Sequence, residues 1–198
     1  MSGPLSPYPL FVLSKDNDSQ YLKTLLSELA SAPGSGGCNN FTLVTATNNA
    51  TIPVKRYVPI REGSDEMRES IISGTTPDVV PEPFTSPFTG KDLHECAKWI
   101  RDLPHDLNIA WQKEFFCAVD KHCRDENTLL LVRRFESAED GLAVHAFPVA
   151  VTDADSFIMN YVGDDWEDQL QRYQRRAHRR GTADRSVGVP FEYNAVNH

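Results

Sequence analysis

Three short apolar runs constrain this chain more than any other feature. Pro9–Leu13, Phe115–Val119 and Thr128–Arg133 are each five or six residues long, dominated by Leu, Val and Phe, and set among polar turn residues. Runs of that length and composition read as buried strands. Phe41–Thr45 predicts a further strand, and Leu142–Phe147 another after the turn Glu139-Asp-Gly141. Ile52–Ile60 reads as extended, with Pro53 and Pro59 marking it as an edge.

Helical periodicity falls between these runs. Lys15–Ser19 is rich in N-cap residues, and Leu22, Leu25, Leu26 and Leu29 then form one apolar stripe that stops at Pro33–Gly37. Lys91–Leu103 places Leu93, Cys96, Ala97 and Ile100 on one face, with Pro104 as the stop. The last helix starts at Asp164 and Asp165, expected to cap it, and runs to about Arg180. Its stripe is Trp166, Leu170, Tyr173 and Ala177, with Arg172, Arg175, Arg176 and Arg179 on the opposite side. Short helices are predicted at 65–72 and 106–113, a polar turn at 120–127 and a polyproline-like surface loop at 77–87.

Strands alternating with helices predict a single α/β (α+β) domain over residues 1–180, a small mixed sheet packed with helices. A Pro-rich insertion occupies about 61–90, and 181–198 reads as a flexible tail. At 198 residues and 40% hydrophobic content the chain can bury a core, which excludes wholesale disorder. No run approaches the roughly 20 apolar residues of a membrane helix, so no membrane span is expected. Four Cys in a chain of this length do not make a disulfide scaffold, and the opening residues carry no basic and apolar signal-peptide pattern. The expectation is a cytoplasmic or nuclear protein with reduced thiols, though a chain trimmed of its signal would read the same. The sequons at Asn17, Asn40 and Asn49 are then chance matches.

Three segments match a family pattern in order. They are the opening strand with its Asp-rich helix start, the pair Phe115–Asp120 and Thr128–Arg133, and the ending Phe157-Ile-Met-Asn-Tyr-Val-Gly-Asp-Asp-Trp-Glu-Asp168. Together they resemble small α/β proteins of actinobacteria and fungi classed as a domain of unknown function. The resemblance covers residues 9–46 and 112–176 and implies a compact α/β fold and a microbial, fungal source. It brings no catalytic residue or ligand with it.

Charge is distributed unevenly. The formal net charge is −8, yet six Arg from Arg172 onward face only Asp184 and Glu192, so the preceding body is strongly acidic. The arginine face of the last helix is a candidate surface for an acidic protein partner, a second copy, or phosphate. Nucleic acid is disfavoured because the acidic body repels a duplex. Asp120, His122 and Cys123 form a second candidate, at the carboxyl end of a strand where α/β folds bind ligands. Asp120 or His122 could act as a general base and Cys123 as a thiol nucleophile. The competing reading is a solvated polar turn.

Phe84 and Phe88 flank Ser-Pro in the 77–88 loop and suggest either a lid over a small-molecule pocket or simple loop packing. His94, Cys96, His122 and Cys123, with Cys117 in reserve, are zinc-type ligands in spacing that suits no ribbon or finger, so no metal is expected. There is no P-loop, dinucleotide glycine fingerprint, His-Glu-x-x-His or Gly-x-Ser-x-Gly, and no cofactor is expected. The leading expectation is a small intracellular binding or interaction protein. The alternative is a cofactor-independent hydrolase or isomerase with its pocket at the end of strand 115–120, and the third is phosphate or nucleic-acid binding through the arginine helix.

Overall fold

Alternate residues of the apolar runs belong to different cores. In a strand, successive side chains point to opposite faces. Leu10 and Val12, Phe115, Cys117 and Val119, and Leu129 and Leu131 pack into one apolar cluster. Phe11 and Leu13, Phe116 and Ala118, and Leu130 and Val132 pack into another. The sheet is therefore buried on both faces, which is why these strands are continuously apolar rather than alternating.

The computed structural model describes residues 8–33, 40–48, 74–103, 112–136, 141–160, 165–182 and 185. In chain order the elements are β1 (Tyr8–Val12), α1 (Ser19–Ser31), β2 (Phe41–Leu43), α2 (Leu93–Arg101), β3 (Phe115–Val119), α3 (Cys123–Glu126), β4 (Thr128–Phe135), β5 (Ala143–Ala150), α4 (Ala154–Asn160) and α5 (Trp166–Arg180). They form a five-stranded mixed sheet in the order β2-β1-β3-β4-β5. β1 pairs in parallel with both β2 and β3, whereas β3–β4 and β4–β5 are antiparallel. The domain is α+β, with α1, α4 and α5 contributing to the first cluster and α2 to the second.

Local chemistry explains the helix ends. Asp18 caps α1 by accepting from Tyr21 N at 2.8 Å, and Asp92 and Glu95 form a reciprocal capping box on α2. α5 stops at Gly181, left-handed at φ 63°, with Gly181 N donating to His178 O and Thr182 N to Ala177 O. A residue with a Cβ would pay steric strain at that angle.

Several expectations are corrected. Asp165 does not cap α5 through its side chain; it is itself helical, and its carbonyl accepts from Gln169 N at 3.1 Å. The expected turn at 120–127 contains the helical turn α3, and β5 continues to Ala150 despite Pro148, which an edge strand tolerates. α4 was not expected: its apolar residues Ala154, Phe157 and Ile158 span too short a stretch to register as a periodicity. The predicted elements at 52–60 and 65–72 lie outside the described residues, as do 106–111 of the predicted helix at 106–113.

α5 is fastened at its start by Trp166, 2% exposed, whose ring centroid lies 4.6 Å from that of Phe147 and 5.6 Å from that of Phe115. Trp166→Ala is expected to lower unfolding free energy by about 3–5 kcal/mol. Trp166→Phe should lose much less, because the buried Nε1 has no hydrogen-bond partner among the described residues. Urea denaturation of both variants checks the order.

Candidate functional site

Two places in this fold gather chemistry, and the first lies at the carboxyl ends of β1 and β3. These parallel neighbours run in register from Leu10↔Cys117 to Val12↔Val119, so they end together. From β1 the chain passes through α1 to β2 on one side, while β3 is followed by α3 and β4 on the other. At such a divergence open α/β sheets bind ligands in the crevice beyond the strand ends; here that place is filled by Asp120, 0% exposed, and Arg185, 9% exposed.

Asn17 and Asp120 meet there, with Asn17 Nδ2 donating to the Asp120 carbonyl at 3.0 Å. Asp120 has 0% exposure, and its Oδ1 accepts from the backbone N–H of His122 at 2.9 Å and of Cys123 at 3.1 Å. This is an Asx-type turn, and it explains why the chain coils into α3 directly after β3. A buried carboxylate also demands a counter-charge. Arg185 supplies it bidentately, Nε to Oδ2 and Nη2 to Oδ1, each at 2.8 Å. Its Nη1 reaches Glu126 Oε2 at 2.7 Å and Thr128 Oγ1 at 3.2 Å, and its backbone N–H donates to the Tyr173 hydroxyl at 2.9 Å. Burial works against the Arg185 charge, but the negative groups facing it prevail and its pKa is raised.

The three sequence candidates are thus brought together, with roles defined by their contacts. Both Asp120 oxygens are committed to Arg185 and the backbone of α3. His122 is half-buried and touches Asp120 through its main chain, not its imidazole. The Cys123 thiol is fully buried, accepts from Asp120 N at 3.2 Å, and is pushed well up in pKa by burial and by the Asp120 charge. It is a neutral thiol at physiological pH, not a thiolate.

Cys96 lies in the cluster on the other face of the sheet from Cys117 and Cys123, so these sulfurs cannot share an ion. Among the described residues no group of three His, Cys, Asp or Glu is placed to hold a metal. Phe88 is core, its ring centroid 4.7 Å from that of Phe11, and Phe84 is half-buried against the first cluster. Ser19 Oγ pins this loop, accepting from Phe84 N at 2.8 Å and donating to Pro81 O at 2.9 Å. Asn17 is 3% exposed and closed to modification in the folded protein.

The second place is the outer face of α5. Arg172, Arg175, Arg176 and Arg179 are all exposed and, with Gln169, line an open groove of about 550 Å³. Among the described residues, Arg175 Nε and Arg176 Nε bond only to carbonyls of their own helix, at 3.2 and 3.3 Å. None of the four forms an ion pair among the described residues. Asp168 and Arg172, four residues apart on the helix, form no ion pair either. Like charges at i,i+3 and i,i+4 repel along a helix. The described groups on this face therefore repel one another.

Sequence reasoning missed Arg185, Glu126, Thr128 and Tyr173. The need for a cation opposite Asp120 was readable in principle, but nothing local singled out Arg185 among the 20 basic residues. Comparison of the chain with protein-family models, curated proteins and solved structures finds no match. No helix among the described residues is long and apolar enough to cross a membrane.

Asp120→Asn is expected to lose about 3–5 kcal/mol of stability, since it leaves the buried guanidinium only the half-exposed Glu126 as counter-charge; a urea titration measures it. Cys96, Cys117 and Cys123 are all buried with raised pKa values, burial being the leading cause. Unfolding would let them ionise near about 8.5. Their contribution to stability is complete below that pH and declines above it as the unfolded state loses protons first. Native-state alkylation mapped by mass spectrometry should spare all three between pH 7 and 9, with no rise in rate through that range.

Proposed function

We propose that this is a small intracellular binding protein whose α5 arginine face docks an acidic segment of a partner protein. The observation that carries the reading is the groove lined by Arg172, Arg175, Arg176 and Arg179, four guanidinium groups without a carboxylate among the described residues. Planar guanidinium groups bind carboxylates through paired N–H donors, and an array one helical turn apart suits a run of Asp and Glu side chains. Two anchors support a fixed presentation: Trp166 and Leu170 in the core at one end, and the Arg185–Asp120 pair just past the other. The same face would accept the acidic body of a second copy, which makes self-association the nearest variant of this reading.

Nucleic acid draws less support, because the net charge of −8 persists despite the arginine helix. A hydrolase or isomerase reading also draws less, because a base at Asp120 would first have to leave Arg185.

Fluorescence anisotropy with a labelled peptide of alternating Glu and Ser tests the proposal, with sedimentation of the unlabelled protein and a labelled DNA duplex run alongside. Arg175→Glu combined with Arg176→Glu should weaken peptide binding by about tenfold or more and leave the circular dichroism spectrum unchanged. Equal binding by the charge-reversed protein, or a preference for the duplex, overturns the reading.

A further inference from the structure

The groups that close over Arg185 do more than neutralise it. A guanidinium carries five N–H donors in a planar fork and no acceptor. All five are met here: Nε by Asp120 Oδ2, Nη1 by Glu126 Oε2 and Thr128 Oγ1, and Nη2 by Asp120 Oδ1 and Cys123 Sγ, the last at 3.5 Å. The acceptors come from the end of β3, both ends of α3 and the start of β4, whereas Arg185 lies past α5. An ammonium group would satisfy this planar set poorly.

The crevice also holds polar capacity that Arg185 does not use. Asn17, 3% exposed and bonded through Nδ2 to the Asp120 carbonyl, has no partner for its Oδ1 among the described residues. The buried Tyr21 hydroxyl, whose electrostatic neighbours include Cys123 and Asp120, likewise has none. A ligand with polar atoms beyond the guanidinium would find an acceptor and a hydroxyl there. Among the described residues, Arg185 is placed by its side chain and by one main-chain hydrogen bond, to the Tyr173 hydroxyl.

We propose that the crevice at the carboxyl ends of β1 and β3 is a binding site for guanidinium-bearing ligands, which Arg185 occupies in cis. The ligand chemistry is that of a small guanidine or of an arginine side chain presented on a peptide. An external ligand must displace Arg185, so its apparent affinity for the intact protein is reduced by the fraction of molecules in which the crevice is filled.

Arg185→Ala tests this with agmatine, a capped Gly-Arg-Gly peptide and butylamine at equal ionic strength, read by calorimetry and thermal shift. Agmatine should bind Arg185→Ala at least about tenfold more tightly than the intact chain, raise its melting temperature and exceed butylamine in both. Binding of the peptide as well as agmatine identifies an arginine side chain as an accepted ligand, and agmatine alone identifies a small guanidine. Adding Asp120→Asn to Arg185→Ala should abolish the response. If Arg185→Ala does not fold, Arg185→Lys takes its place in the same titrations. A folded variant that ignores agmatine, or responds equally to butylamine, overturns the proposal.

Discussion

A parallel strand pair buried on both faces must be roofed by helices on both sides, and everything else in this molecule follows from that demand. β1 and β3 carry apolar side chains alternately to the two clusters, and neither face can meet water. One roof is built from α1, α4 and α5, the other from α2 with Phe88 and Trp99 stacked edge-on against Phe11. The strands cannot continue beyond the roof without exposing unpaired backbone, so chain direction changes at Leu13 and Asp120. Polar groups concentrate where those changes occur.

The crevice between the two strand ends is consequently a buried polar place in an apolar interior. Asp120 turns the chain by binding the backbone N–H groups of His122 and Cys123, and that task buries its charge. The charge then recruits Arg185 from a point far along the chain. This couples two regions of different character. The acidic body holds the segment just past α5, and α5 keeps its arginine face turned outward. Electrostatic attraction is spent inside the crevice, while the outer face is left with repulsion among its own guanidinium groups.

Much of the fold was legible in the residues. The Leu22–Leu29 stripe, the Leu93–Ile100 face and the Trp166–Ala177 stripe all face the core as helical spacing predicts, because burial selects the apolar side of a helix directly. The strands at 115–119 and 128–133 were equally plain, the second running on to Phe135. α4 was not, since a seven-residue helix leaves no repeat to read. Of the candidate sites, the exposed arginine face followed from the same periodicity. The state of Asp120, His122 and Cys123 did not, because adjacency in sequence says nothing about which atoms a side chain faces.

By itself, then, the sequence determined the longer helices and the central strands, their buried faces and the segregation of acidic body from basic helix. Those properties are set by local spacing and composition, which a chain carries whatever its fold. Only the tertiary structure decided that Asp120 is a buried anchor rather than a free base, that Cys123 is a neutral thiol, and that Arg185 sits in the crevice. The first and last depend on groups 65 positions apart being brought within hydrogen-bond distance in a medium of low polarity, and the second on burial of the thiol beside Asp120. Burial fixes the charge state of such groups, and burial is a property of the folded whole.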